Sequence, residues 1–195
     1  MRNIETKKGR VVLYSDKGHH IQTMQHDNTG QDLYSVPRYI TENRNRDVIV
    51  SDWHHGVVVT ERSGKHRFSY RGPTSRHRLL PCGICTDPLS NILVCDAGSH
   101  TVHLVDVDGN FLSLILTQQH GINIPYCLGY DDKNNLLLLG SSHNTIKEYR
   151  YICRKDCLKE FHSIDEWKND WKDALISFRK EHYASAVFQL NSLLD

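Results

Sequence analysis

The chain has 195 residues, 38% of them apolar and 24% charged, enough to bury the core of one domain with a small appendage. No apolar run nears the roughly 20 residues that a membrane helix needs, and the polar, basic start from Met1 to Arg10 carries no secretory stretch. These features predict a soluble, cytoplasmic protein without a membrane partner, its 6 cysteines present as reduced thiols rather than a disulfide framework.

The elements follow in chain order. Within residues 9–36, Val11-Val12-Leu13-Tyr14, the turn Asp16-Lys17-Gly18 and Ile21 read as the last two strands of an incomplete unit. Full units open at Pro37 and Pro81, spanning 37–80 and 81–124, and a shortened one spans 125–152 from Pro125. The three prolines are 44 residues apart, and further columns keep the same register. Ile40, Ile84 and Leu128 form one column; Asn43, Asp87 and Asp131 a second; Asp47, Asn91 and Asn135 a third. Each of the last precedes an apolar triplet: Val48-Ile49-Val50, Ile92-Leu93-Val94 and Leu136-Leu137-Leu138. Beyond the triplets stand Asp52, Asp96 and Gly140.

A period of 44 falls among propeller blades, and the β-branched runs broken by Asp87-Pro88, Asp108-Gly109-Asn110 and Lys133-Asn134-Asn135 read as strands and turns. Apolar residues at consecutive positions imply strands buried on both faces, as stacked blades require. The expected fold is mainly β, an incomplete propeller of four-stranded blades.

The middle unit carries a resemblance. Pro81-Cys82-Gly83-Ile84, Asp87, Asn91-Ile92-Leu93-Val94, Asp96, Ser99-His100-Thr101-Val102 and Asp108-Gly109-Asn110-Phe111-Leu112 resemble an NHL repeat, the unit of the C-terminal propeller in tripartite-motif NHL proteins. That resemblance implies a non-catalytic module which recognises a protein or RNA partner for a ubiquitin ligase. The RING and B-box arrays of such a ligase have no counterpart here, so no enzyme activity and no cofactor are expected of this chain. The alternative is a propeller enzyme of lactonase or lyase type, which calls for a closed ring and a chelated metal. Three and a half units do not close a ring. A piece of a longer protein is the preferred explanation, ahead of an open arc or a two-chain ring that associates through exposed blade edges.

The last segment, 153–195, differs. Gly and Pro vanish after residue 140, and Ile164, Trp167, Trp171, Leu175 and Phe178 make one helical stripe behind the capping pattern Ser163-Ile164-Asp165-Glu166. Tyr183, Ala186 and Leu190 continue it, so a helical C-terminal extension is expected, with no fourth strand for the last unit.

Charge is uneven: residues 1–80 hold 14 Lys and Arg against 8 Asp and Glu, whereas 81–150 hold 3 against 7. The loops that would share one propeller face carry Trp53, His54, His55, Arg71, Arg76, His77, Arg78, His100 and His143. Imidazoles, guanidiniums and the aromatic rings of Trp53 and Tyr70 suit single-stranded nucleic acid, which makes this rim the candidate binding face. Cys82 and Cys85 have half the spacing of a zinc site, but Arg38 with Thr41 and Tyr126 with Gly129 fill the same columns, so packing explains them. Asp52 and Asp96 are expected to accept amides of the loops that follow them.

Overall fold

The structure, a computed structural model, describes residues 9–73, 78–142, 144–152 and 186–189. Two short strands, β1 (Val11–Tyr14) and β2 (His20–Met24), pair as an antiparallel two-stranded sheet. Three antiparallel four-stranded sheets follow, each with its strands side by side in chain order. The first holds β3 (Pro37–Glu42), β4 (Val48–Asp52), β5 (Gly56–Thr60) and β6 (His66–Tyr70). The second holds β7 (Pro81–Thr86), β8 (Ile92–Asp96), β9 (Thr101–Val105) and β10 (Phe111–Leu116). The third holds β11 (Pro125–Asp131), β12 (Leu136–Ser141), β13 (Ile146–Ile152) and β14 (Ala186–Gln189). Among the described residues the only helical element is the 3-10 turn Gln118–His120, and no helix is long and apolar enough to cross a membrane.

The sheets stack face to face, which explains the triplets. Val48 and Val50 turn toward Met24, Leu33 and Tyr34 on the side of β1 and β2, while Ile49 faces the second sheet. Ile92 and Val94 meet Ile49 and Val59, whereas Leu93 faces the third sheet with Cys95, Val102, Leu137, Leu139 and Tyr149. Successive side chains point to opposite faces of a strand, so a run apolar at every position has a neighbour on both sides. The innermost strands lie closest. A Cβ on Gly83 of β7 would sit 2.5 Å from Cys127 Cα and Leu128 N, so only glycine lets β7 and β11 approach this far.

Two expectations need correction. The last sheet does have a fourth strand: β14 pairs antiparallel with β13, Tyr149 opposite Gln189, and it uses Ala186, which the helical stripe had claimed. Four residues, Ala186-Val187-Phe188-Gln189, are too few to fix a period, and an open sheet edge decides for the strand. The helix expected from residue 164 lies outside the described residues.

The second correction concerns register. Arg46, Ser90 and Asn135 each hold a left-handed φ, of 66°, 66° and 55°, in the turn between the first two strands of their sheets. The second step is one residue longer than the first. The turn after β11 therefore contains an extra residue, and the columns beyond it slide by one. Leu139 opposes Leu128 as Val94 opposes Ile84, and Ser141 rather than Gly140 takes the place of Asp52 and Asp96. Gly140 leaves space for the Cys127 sulfur.

Candidate functional site

Up-and-down strand order sends all loops of one kind to the same end of the sheets. The proline end collects the starts of β3, β7 and β11, the loops into β5, β9 and β13, and the links between sheets. The opposite, turn end collects the hairpins near residues 44, 88 and 133.

Two carboxylates build the proline end. Asp52, fully buried at the end of β4, takes Ser35 N at 2.8 Å on Oδ2 and the amides of His54 and His55, both at 2.9 Å, on Oδ1. Asp96 repeats the device in the next sheet, accepting Leu80 N at 3.0 Å, Gly98 N at 2.9 Å and Ser99 Oγ at 2.7 Å. Each ties a loop to the incoming link. In the third sheet the equivalent position is Ser141, whose Oγ meets Thr145 Oγ1 at 2.6 Å, so no carboxylate stands there.

This frame brings together four of the expected rim residues. Arg78, exposed, donates from Nη2 to the Trp53 carbonyl at 2.8 Å and lies 2.7 Å from His54 Nδ1. A guanidinium only donates, so His54 Nδ1 accepts and its N–H sits on Nε2. The neighbouring ring is set the other way. His55 Nδ1 lies 3.0 Å from the Leu33 carbonyl and 3.8 Å from Asp52 Oδ1, and since these oxygens only accept, its proton is on Nδ1 and the lone pair on Nε2. The His55 side chain keeps 32% of its surface exposed.

Arg38, which the sequence offered only as a column partner of Cys82, stacks over the Trp53 ring at 4.1 Å from its centroid. Of the remaining candidates, Arg71 is exposed at the same end without a carboxylate partner among the described residues. His100 stands in the next sheet, where its Nδ1 accepts Ile124 N at 2.8 Å. Arg76, His77 and His143 lie outside the described residues. Tyr70 is not a surface for stacking: it is buried, and its hydroxyl meets His103 Nδ1 at 2.8 Å.

His103 was missed by the sequence reading because its partners come from two sheets. Its Nε2 meets Thr101 Oγ1 at 3.0 Å and lies 3.8 Å from Asp96 Oδ2. Burial drives its pKa down to about 4, against the opposing pull of Asp96.

The enzyme alternative calls for a chelated metal. Among the described residues no three His, Cys, Asp or Glu side chains gather to hold one, and Asp52 and Asp96 are committed to backbone amides. The residues described do not fit a metal. Burial raises the Cys82, Cys85 and Cys95 thiols, which keeps them protonated in the core rather than poised as ligands.

No protein-family profile matches the sequence, and no curated protein matches it. Solved structures do. A gluconolactonase from Xanthomonas campestris is 20% identical over 70% of this chain and 43% of its own, with a TM-score of 0.51. A structural-genomics protein assigned as a gluconolactonase is 17% identical over 73% and 57%, at 0.52. PorZ, a surface component of the type-IX secretion system of Porphyromonas gingivalis, is 15% identical over 68% and 20%, at 0.53. The chain thus spans about half or less of the lengths of these proteins, and the likeness is one of propeller-like fold.

The comparisons correct the expected function. The reading as a non-catalytic module, and so as a non-enzyme, is overturned, because the fold is shared with gluconolactonases. Kinship with tripartite-motif NHL proteins, RNA binding and a link to ubiquitination find no support. The reason is physical: the columns that carried the resemblance are those that fold and stack a four-stranded blade, and any propeller blade needs them.

Proposed function

We propose that the chain belongs to a propeller enzyme that opens a cyclic ester, with the β4–β5 loop at the proline end as its acid–base element. The observation that carries this is the adjacent pair His54 and His55, held in opposite tautomers by Arg78 and the Leu33 carbonyl. One loop thereby carries an N–H donor and a lone pair on adjacent residues.

In the proposed step His55 Nε2 takes a proton from water as the water oxygen attacks the lactone carbonyl carbon. The carbonyl oxygen becomes an oxyanion, which the Nε2–H of His54 stabilises. Collapse of the tetrahedral intermediate breaks the ring C–O bond, and the leaving ring oxygen recovers the proton from His55. The product is a hydroxy acid. No metal enters the step. The likeness in fold to gluconolactonases supports the choice of a lactone over other esters.

The test is titrimetric hydrolysis of glucono-δ-lactone, measured against the spontaneous rate. The protein is expected to exceed the blank, and His55→Gln to lower the catalysed rate by about 100-fold or more, the usual weight of a general base. A parent protein no faster than the blank overturns the proposal.

A further inference from the structure

We infer that Arg38 and Arg78, both in contact with Trp53, form the seat for a small organic anion, so that the lactone substrate or its product is held through a carboxylate or phosphate group. The inference rests on the enzyme reading above and gives its substrate a charge.

Carboxylates pair most of the described arginines at the turn end and none of three at the proline end. Among the described arginines at the turn end, four have a carboxylate partner and Arg150 has none. Arg44 pairs with Asp132 at 3.2 Å, Arg46 and Arg62 with Glu42 at 3.7 and 3.0 Å, and Arg67 with Asp47. At the proline end, Arg38, Arg71 and Arg78 have none among the described residues. The acid nearest in sequence to the cluster, Asp52, is buried with both oxygens occupied by amides, so it presents no carboxylate to solvent. Among the described residues these guanidiniums have no carboxylate counter-ion.

The two guanidiniums are also oriented. Arg38 holds its guanidinium carbon 4.1 Å from the Trp53 ring centroid, and among the described residues its N–H groups have one hydrogen-bond contact, Nη1 to Cys82 Sγ at 3.8 Å. Arg78 spends Nη2 on Trp53 and His54, and its Nε and Nη1 have no partner among the described residues. Both side chains are exposed but held, so little further freedom is lost when they bind. In-plane forks of this kind match the two oxygens of a carboxylate or phosphate. The seat adjoins His54 and His55. Ring opening of a lactone generates a carboxylate, so a site for one would also receive the product.

Calorimetric titration of the whole chain with sodium gluconate, inorganic phosphate and neutral sorbitol, at matched ionic strength, tests the inference. At least one anion is expected to bind, with sorbitol silent. The Arg38→Ala, Arg78→Ala double variant should weaken that binding about tenfold or more, while Arg44→Ala, Arg62→Ala at the turn end leaves it unchanged. Gluconate alone identifies a carboxylate seat, phosphate alone a phosphate-ester seat. Anions that bind no better than sorbitol, or that bind the double variant equally well, overturn the inference. Lactone hydrolysis without anion binding would remove the seat and leave the enzyme; anion binding through these arginines without hydrolysis would do the reverse.

Discussion

His103 sits where two sheets meet, with Tyr70 of β6 on one ring nitrogen, Thr101 of its own strand on the other, Asp96 nearby and the Phe111 ring 5.7 Å away. Its pKa is lowered by burial to about 4, from 6.5 in the unfolded chain, so the fold holds the neutral ring. An unfolded chain then binds a proton that the folded one refuses. The stabilisation is complete above about 6.5 and is lost as pH falls from there toward 4. Urea midpoints measured at pH 7, 5 and 4 should fall further for the parent than for His103→Gln; equal falls would remove His103 from the account. Such a group was illegible in the sequence. A lone histidine on an apolar strand has no visible partner until Tyr70, 33 residues away, is set against it. The rim was legible in part: His54, His55 and Arg78 share an end because the repeat places their loops there. Which ring nitrogen of each histidine carries the proton was not, since Arg78 and the Leu33 carbonyl decide it from 24 and 22 residues away.

At the level of elements, the 44-residue spacing located the three inner strands because each proline marks one edge and each apolar triplet the next strand. It failed where one residue was added. Sequence register equates Leu93 with Leu137, but the extra residue in the turn after β11 makes Leu138 the structural equivalent. The consequence can be measured. Leu93 and Leu137 are fully buried, while Leu138 faces away from the neighbouring sheet and is 38% exposed. Leu93→Ala and Leu137→Ala should each cost about 2–5 kcal/mol in urea unfolding, and Leu138→Ala less than about 1 kcal/mol. Equal costs at 137 and 138 would restore the sequence register. β14 escaped notice for a different reason: Ala186–Gln189 is short, and only the unpaired edge of β13 makes it a strand.

Across the whole molecule, burial is deepest in the central strands of the first two four-stranded sheets. β8 and β9, like β4 and β5, are buried along their entire lengths. Toward the ends, Tyr14 at 58%, Ile21 at 54%, Ile40 at 58% and Ile146 at 81% stand exposed on surfaces that the stack does not cover. The proline-end site depends on this arrangement, because only stacked up-and-down sheets carry Arg38, His55 and Arg78 to one place from three separate stretches of chain. Amide hydrogen exchange resolved by residue tests that most directly. Slowest exchange is expected in β4, β5, β8 and β9, and faster exchange in β1, β2 and β13. Protection weakest in the middle sheet, or spread evenly along the chain, would contradict that arrangement.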